Sequence, residues 1–173
     1  MLYKKEMENF KVCYYKDFDF RNLKFRPSIE SHLGTMKKYC VEDTGTSLGI
    51  RIQFPKVKLV SFDDEYLAFL FPENSKGNLF FKKLKELNLE QVEQIDRSSK
   101  LKLFNDLSQD IVYMKYNSKT LYFTEQEHIT SFNDITNNYI GYKAVMIASS
   151  EGLWTTENSY GNTWKIEQLK IYN

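Results

Sequence analysis

Apolar and polar positions alternate with the two-residue period of a β-strand through most of the region between Thr35 and Phe71. Gly45, Pro55 and the charged break at residues 63–65 interrupt the alternation. Turn residues and prolines at such points separate strands or bend them. The pattern therefore predicts a meander of four short strands, with a bend at Pro55 between the second and third: TMKKYCVED (35–43), LGIRIQF (48–54), PKVKLVSF (55–62) and YLAFLF (66–71).

The period changes to that of an amphipathic helix in NLFFKKLKELNLEQVEQI, residues 78–95. One face of this helix carries Phe80, Leu84, Leu87, Gln91 and Ile95, with lysines and glutamates opposite. Residues 99–110 continue with a weaker helical pattern, so 78–110 is predicted to be a helical insertion between strands.

The second half of the chain returns to strand patterns. Residues 111–126 predict a hairpin with its turn at residues 116–119. Residues 139–149 and 162–172 predict two more strands, joined by a long polar loop that carries Trp154 and Tyr160.

At the N-terminus, residues 1–26 predict an extension plus a first strand, which ends before Pro27. A chain of 173 residues is long enough for one well-buried core and short for two, so residues 1–173 are predicted to form a single domain. The expected fold is mainly β (α+β): an antiparallel barrel with one main helix between strands. Among small barrels this order resembles the OB-fold, which inserts a helix between its third and fourth strands.

Composition narrows the cellular setting and the class of ligand. No apolar run approaches the length of a membrane span, and the first residues lack a secretory signal, so a cytoplasmic protein without a membrane partner is expected. Cys13 and Cys40 form no CxxC pair and are expected to be ordinary thiols. Residues 1–60 hold 12 Lys/Arg and 7 Asp/Glu, a net charge of +5, and residues 61–173 hold 12 and 16, a net charge of −4. This basic excess indicates either an anion-binding face or a solvated surface.

Motifs for catalysis or metal binding do not appear in the sequence. His32 and His128 have no metal-ligand neighbours at the usual spacing, and no Walker loop, dinucleotide-binding glycine motif or GxSxG elbow occurs. The adjacent carboxylates of residues 63–65 are typical of a turn, and a dyad of Cys40 with His32 has no local signature. The chain is therefore predicted to be a binding protein and not an enzyme, without metal or cofactor.

Strand alternation predicts where the basic side chains point. With Ile50, Ile52 and Phe54 in the core, Arg51 faces outward, and Lys56 and Lys58 do the same beyond the bend. The preceding strand adds Lys37, Lys38 and Tyr39, of which at least one lysine is expected on the same surface. Cations beside rings on a curved sheet are typical of proteins that bind single-stranded nucleic acid. A duplex reader usually presents a basic helix, and the helix here is too acidic.

The last 35 residues repeat this combination of rings and cations. The pattern places Tyr139, Tyr142 and Lys143 on one strand and Trp154 and Tyr160 in the predicted loop, and it begins the final strand with Trp164 and Lys165. A tryptophan at the start of a strand is more often a core residue than a stacking platform, so Trp164 remains open between the two roles. The predicted nucleic-acid-binding residues are Lys37, Lys38, Tyr39, Arg51, Lys56, Lys58, Tyr142, Lys143, Trp154, Tyr160, Trp164 and Lys165.

Several motifs resemble a known class of proteins. The segments LKFRPSIESHLGTMKKY, LGIRIQFPKVKLVSF, GYKAVMIASSEGLW and GNTWKIEQLKIY follow one another as in the single-stranded DNA-binding proteins of phage T7 type and of large DNA viruses. They are also similar to the single-strand binding protein of yeast linear cytoplasmic plasmids, whose size the chain shares and whose AT-rich coding is expected here from the excess of lysine over arginine. The positions that match are Gln53, Pro55, Trp164, Gln168 and Lys170.

The resemblance implies an OB-fold that coats single-stranded DNA during replication of a virus or plasmid, without sequence preference. It implies single-stranded DNA as the partner, with replication proteins as further candidates, and it leaves homo-oligomerisation open. Many such proteins recruit replication partners through an acidic C-terminal tail; the sequence ends in QLKIYN, so recruitment of that kind is not expected. The alternative is a virus- or plasmid-encoded interaction or structural protein whose exposed rings contact another protein.

Overall fold

The computed structural model describes residues 12–19, 23–25, 29–31, 34–37, 39–41, 50–71, 75–93, 101–104, 107, 109–126 and 129–172. These residues are mainly in β-strands, with two helices, α1 (Ser75–Glu93) and α2 (Phe132–Asn138). The described strands are β1 (Cys13–Tyr14), β2 (Leu23–Phe25), β3 (Ile29–Ser31), β4 (Gly34–Lys37), β5 (Tyr39–Val41), β6 (Arg51–Gln53), β7 (Val57–Phe62), β8 (Tyr66–Leu70), β9 (Lys102–Leu103), β10 (Ile111–Lys115), β11 (Leu121–Phe123), β12 (Ile129–Thr130), β13 (Lys143–Thr155) and β14 (Ser159–Tyr172).

Five of these strands close into a barrel. β7 pairs with β8, β8 with β10, and β13 with both β14 and β7, all antiparallel, while β10 pairs with β14 in parallel. Numbered along the chain, the barrel strands therefore follow the order first, second, third, fifth, fourth and back to the first. This is the Greek-key connectivity of an OB-fold, so the predicted mainly β, OB-like barrel is confirmed.

The two helices close opposite ends of the barrel. Phe80 of α1 contacts the rings of Phe54 and Phe71, which flank the β7–β8 hairpin at its open end. Phe132 of α2 packs against Phe62 at the other end of β7 and stacks on Tyr116. The predicted main helix is present, but it lies between the second and third barrel strands, and the short α2 lies between the third and fourth.

The C-terminal strands are longer than the sequence pattern predicts. The pattern predicts a loop for residues 150–161, but β13 and β14 run through them and leave only residues 156–158 as the connection. A register shift between Ser150 and Leu153 bulges β13, and Gly152 takes the positive φ of 114° that the bulge needs. The polar residues at and beyond the bulge interrupt the apolar alternation, so the sequence pattern does not predict a strand there.

Two further local predictions are wrong, each because a tertiary pairing replaces a local one. The arms of the predicted 111–126 hairpin, β10 and β11, pair with β14 and not with each other. A turn between them does form, one residue later than predicted, since the Thr120 amide donates to the Asn117 carbonyl at 3.0 Å. In the weak helical stretch 99–110, the described residues contain no helix: Lys102 and Leu103 form β9, which pairs in parallel with β14, and Leu107 and Asp110 have positive φ.

Within the described part of the chain, neither α1 nor α2 is long and apolar enough to cross a membrane.

Candidate nucleic-acid interface

Four lysines and two tyrosines share the outer surface of β7, β13 and β14. In the sheet register Lys58 lies opposite Lys143, and Lys143 in turn lies opposite Tyr172. Lys170 lies one row further along, opposite Val145 of β13. Because neighbouring strands are about 4.8 Å apart, these side chains are direct neighbours. We call this surface the lysine face; it comprises Lys56, Lys58, Lys143, Lys170, Tyr142 and Tyr172.

Alternation with core residues points these lysines outward. Lys56 and Lys58 flank Val57, which is 1% exposed. Ala144, beside Lys143, is fully buried, and the residue that follows Lys170 is also in the core. Burying each apolar neighbour fixes the pleat, so none of the lysines can turn inward without breaking the core.

The charges of the lysine face are only partly balanced. Lys56 Nζ lies 4.2 Å from the ring centroid of Tyr172, and Lys170 Nζ lies 5.6 Å from it, within the range of cation–π attraction. Lys58 and Lys143 form no ion pair with any residue that the structure describes. Like charges held this close repel one another, and a polyanion would relieve that repulsion.

An exposed tyrosine borders the lysine face. Tyr142 directly precedes β13 and is 39% exposed, and its ring meets that of Tyr139 edge to face at 5.4 Å. The Leu59 amide donates to the Tyr142 carbonyl at 3.0 Å, which fixes the tyrosine beside Lys58. A ring held beside cations in this way can stack an unpaired base.

The predicted placement of Tyr139 on the same strand as Lys143 is wrong. Tyr139 caps the C-terminus of α2, and its amide donates to the Ile135 carbonyl at 3.0 Å. Because the Tyr139 amide completes the last turn of α2, Tyr139 belongs to the helix end, and β13 begins only at Lys143.

Arg51 lies on the same outer surface but carries a partner. Its guanidinium forms an ion pair with Glu167, which reaches it across β13 from β14. Both side chains are about a quarter exposed, so the pair neutralises much of the positive charge that the sequence suggested for Arg51. The structure thus joins Lys56 and Lys58 with Lys143 more closely than with Arg51.

The two tryptophans lie away from the lysine face. Trp164 is 4% exposed and packs edge to face on Phe54, so it is a core residue and its ring cannot stack a base. Trp154 lies in β13 and is half-buried, and its indole N–H donates to Thr163 Oγ1 at 2.9 Å. Its predicted loop position is therefore wrong, because the extended β13 includes it.

The remaining predicted residues are spread over the molecule. Lys37 ends β4, Tyr39 begins β5, and Lys38 lies outside the described residues. Tyr160 and Lys165 lie in β14, where burial raises the pKa of Tyr160. Within β14, Tyr160 pairs with β9 and Lys165 with β10, away from the part of β14 that belongs to the lysine face.

A second surface, which sequence reasoning missed, lies on β8 and β10. It is an open groove of about 650 Å³, which we call the ring groove, and its lining includes Tyr66, Phe104, Tyr113, Lys102, Asp63 and Ser159. Burial is the main cause that raises the pKa of Tyr66 there, and Lys115 partly offsets it. The second and third strands of an OB-fold are the usual position for oligonucleotides.

Only part of the ring groove leaves a signal in the sequence. Strand alternation does place Tyr66 and Tyr113 outward, so these two rings could have been found. A tertiary contact places Phe104 in the ring groove: its amide donates to the Tyr160 carbonyl at 2.8 Å. Gly161 makes room for it, because a Cβ there would lie 3.0 Å from Phe104 Cβ.

In the described ranges, no three residues among His, Cys, Asp and Glu are grouped to hold a metal ion.

No protein-family model and no curated protein matches the chain. Among solved structures, the chain is similar to the single-stranded DNA-binding protein of bacteriophage Enc34. A C-terminal truncation of that protein is 13% identical with a TM-score of 0.48, over 87% of this chain and 95% of that one. The same phage protein in complex with single-stranded DNA is 12% identical with a TM-score of 0.47, over 86% of this chain and 94% of that one. The resemblance to the phage T7 and yeast plasmid proteins stays a prediction.

Proposed function

We propose that the protein binds single-stranded DNA without sequence preference, with the lysine face as the surface that contacts phosphates. The observation that carries the proposal is the cluster of four lysines on, or directly before, three neighbouring strands. Two of these lysines, Lys58 and Lys143, have no ion-pair partner among the described residues. Phosphate contacts by lysine are sequence-independent and supply most of the affinity of such binders. Tyr142 and Tyr172 supply rings at the edge of the same surface for unstacked bases.

The shape of this surface favours a single strand over a duplex. The lysines form short rows on a curved sheet, and neither described helix presents them to a groove. A duplex reader places a helix or a ribbon in the major groove, whereas a single strand can follow a curved sheet and expose its bases to rings. The sequence resemblance extends the proposal: the chain coats displaced strands, as one domain and in the cytoplasm, during replication of an AT-rich virus or plasmid.

The proposal is tested with the double variant Lys58→Ala/Lys143→Ala. Anisotropy of labelled oligo(dT) at several salt concentrations gives the affinity and its salt slope. We expect weaker binding, and a salt slope that becomes shallower by about 0.7 for each phosphate that the variant no longer neutralises. The matched control is Lys16→Ala/Lys82→Ala, which removes the same charge from exposed sites at the α1 end of the barrel.

Glu167→Gln provides the converse test. It removes the carboxylate that engages Arg51, so it is expected to strengthen oligo(dT) binding at low salt. The proposal is wrong if wild-type protein does not bind oligo(dT) at low salt, or if the lysine-face variant loses no more affinity than its control. Binding of another protein that is insensitive to salt would instead favour the interaction-protein alternative.

A further inference from the structure

Two further lysines lie between the lysine face and the ring groove in the strand order of the barrel. Lys165 of β14 lies in register with Lys115 of β10, and Lys115 lies opposite Tyr66 of β8. Lys165 points outward, because its neighbours Trp164 and Ile166 are buried in the core. A row of side chains therefore runs across the barrel surface from β14, the strand that also contributes to the lysine face, to the ring groove. We call Lys115 and Lys165 the lysine bridge.

Three of the carboxylates near the lysine bridge have partners. Glu167 engages Arg51, and Glu65 lies 3.5 Å from Lys115 Nζ. Asp63 accepts hydrogen bonds from the amides of residues 65 and 66 at 2.8 and 2.7 Å. The pair of Lys115 with Glu65 is well exposed on both sides, so it is weak and a phosphate can replace the carboxylate at little cost.

A single strand needs cations for its phosphates and rings for its bases, and the two surfaces supply these in different proportions. The lysine face supplies charge with two rings at its margin, whereas the ring groove supplies three rings with few cations. A strand confined to either surface would leave the other without a ligand. In the closed barrel of five strands, the lysine face lies on β7, β13 and β14 and the ring groove on β8 and β10, so the two surfaces border each other at β14–β10 and at β7–β8.

We propose that one DNA strand follows both surfaces, passing from the lysine face over the lysine bridge into the ring groove, and so wraps part of the way around the barrel. The inference rests on the proposed function. It predicts a binding site near the upper end of the range of about 4–16 nucleotides that single OB-folds cover. Phosphates contact the lysines along this path, and bases stack on Tyr66 and Tyr113 at its end.

The test uses two probes, labelled oligo(dT) of about 5 and of about 16 nucleotides, which mark the two ends of that range. The bridge variant Lys115→Ala/Lys165→Ala should bind the short probe no more weakly than the charge control does, because the lysine face and the ring groove each keep their own residues. It should lose most of the additional affinity of the long probe, about tenfold or more at low salt. The lysine-face variant Lys58→Ala/Lys143→Ala serves for comparison, and Lys16→Ala/Lys82→Ala controls for net charge.

The outcomes separate a failure of the wrapped path from a failure of the proposed function. If the wild type binds neither probe, both the wrapped path and the proposed function are wrong. Normal binding by the wild type, with equal losses for both probes in the bridge variant, would overturn the wrapped path, because it would indicate one compact site. A bridge variant indistinguishable from the charge control would overturn it as well and leave single-strand binding intact. Circular dichroism of each variant verifies that the barrel has formed.

Discussion

Aromatic residues show how strongly the surroundings of a single residue decide its role. Trp164 and Tyr142 are both rings in or beside barrel strands, yet Trp164 is 4% exposed and Tyr142 is 39% exposed. The difference lies in what covers them: Phe54 packs on Trp164, whereas only one edge of Tyr142 meets Tyr139. Strand alternation predicts the outward lysines well, because a lysine cannot be buried in place of Val57. Alternation does not distinguish buried aromatic rings from exposed ones, since an aromatic side chain is tolerated both in the core and on the surface.

The core position of Trp164 leads to a stability prediction. Trp164→Ala should lower the free energy of unfolding by about 3–5 kcal/mol, because it removes a buried ring and leaves a cavity. Urea denaturation followed by circular dichroism measures the change. Tyr142→Ala, which also truncates a ring but at an exposed site, should change it by about 0.5 kcal/mol or less. Equal losses in the two variants would contradict the assignment of Trp164 to the core.

Among the secondary-structure elements, β14 organises much of the described structure. It pairs with β13 along most of its length and receives β9, β10 and β11 on its other edge. Local patterns predict most of the strands near their observed positions, including β7 and β8. They predict the wrong partner for β10 and β11. A turn at 117–120 can join two strands that pair with each other, or two strands that both pair with a third strand, here β14.

The junction of β9 with β14 depends on a glycine. In Gly161→Ala, the new Cβ would lie 3.0 Å from Phe104 Cβ and 3.1 Å from the Phe104 carbonyl oxygen, so residues 102–104 must shift. We expect faster hydrogen exchange at the amides of Lys102 and Phe104, which donate to Asn158 and Tyr160. Amides of the β8–β10 pair are the internal control and should stay protected. Unchanged protection at Phe104 would show that the close contact does not constrain this segment.

The barrel as a whole is closed by strand pairing and plugged at both ends by helices. The plug at the α2 end includes Tyr122, which is 6% exposed and whose hydroxyl has no hydrogen-bond partner within the described ranges. Burial raises the pKa of Tyr122 to about 12, and the nearby Thr120 hydroxyl lowers it by less. Ionising this group inside the folded barrel is therefore costly, which links the stability of the whole barrel to alkaline pH.

The sign of that link follows from the two pKa values. The unfolded chain loses the Tyr122 proton near pH 10, and the folded chain keeps it to about pH 12. Stability is therefore fully present below pH 10 and falls between pH 10 and 12, by about 2–3 kcal/mol from this group. Tyr122→Phe should remove that part of the alkaline loss and be close to neutral at pH 7, because it deletes a buried hydroxyl that none of the described residues pairs. Parallel alkaline curves for the two proteins, measured by urea denaturation, would refute this account.

Short-range patterns in the sequence are enough to specify the local properties of this protein: strands by alternation, one long amphipathic helix by its period, and lysines turned outward by the need to bury their neighbours. These follow from physics that each segment carries alone. The tertiary structure determines which strands pair and places the long helix before the third barrel strand. It also pairs Glu167 with Arg51 and brings Lys58 next to Lys143. Such outcomes depend on contacts between residues far apart in the chain, and the closing of the barrel brings those residues together.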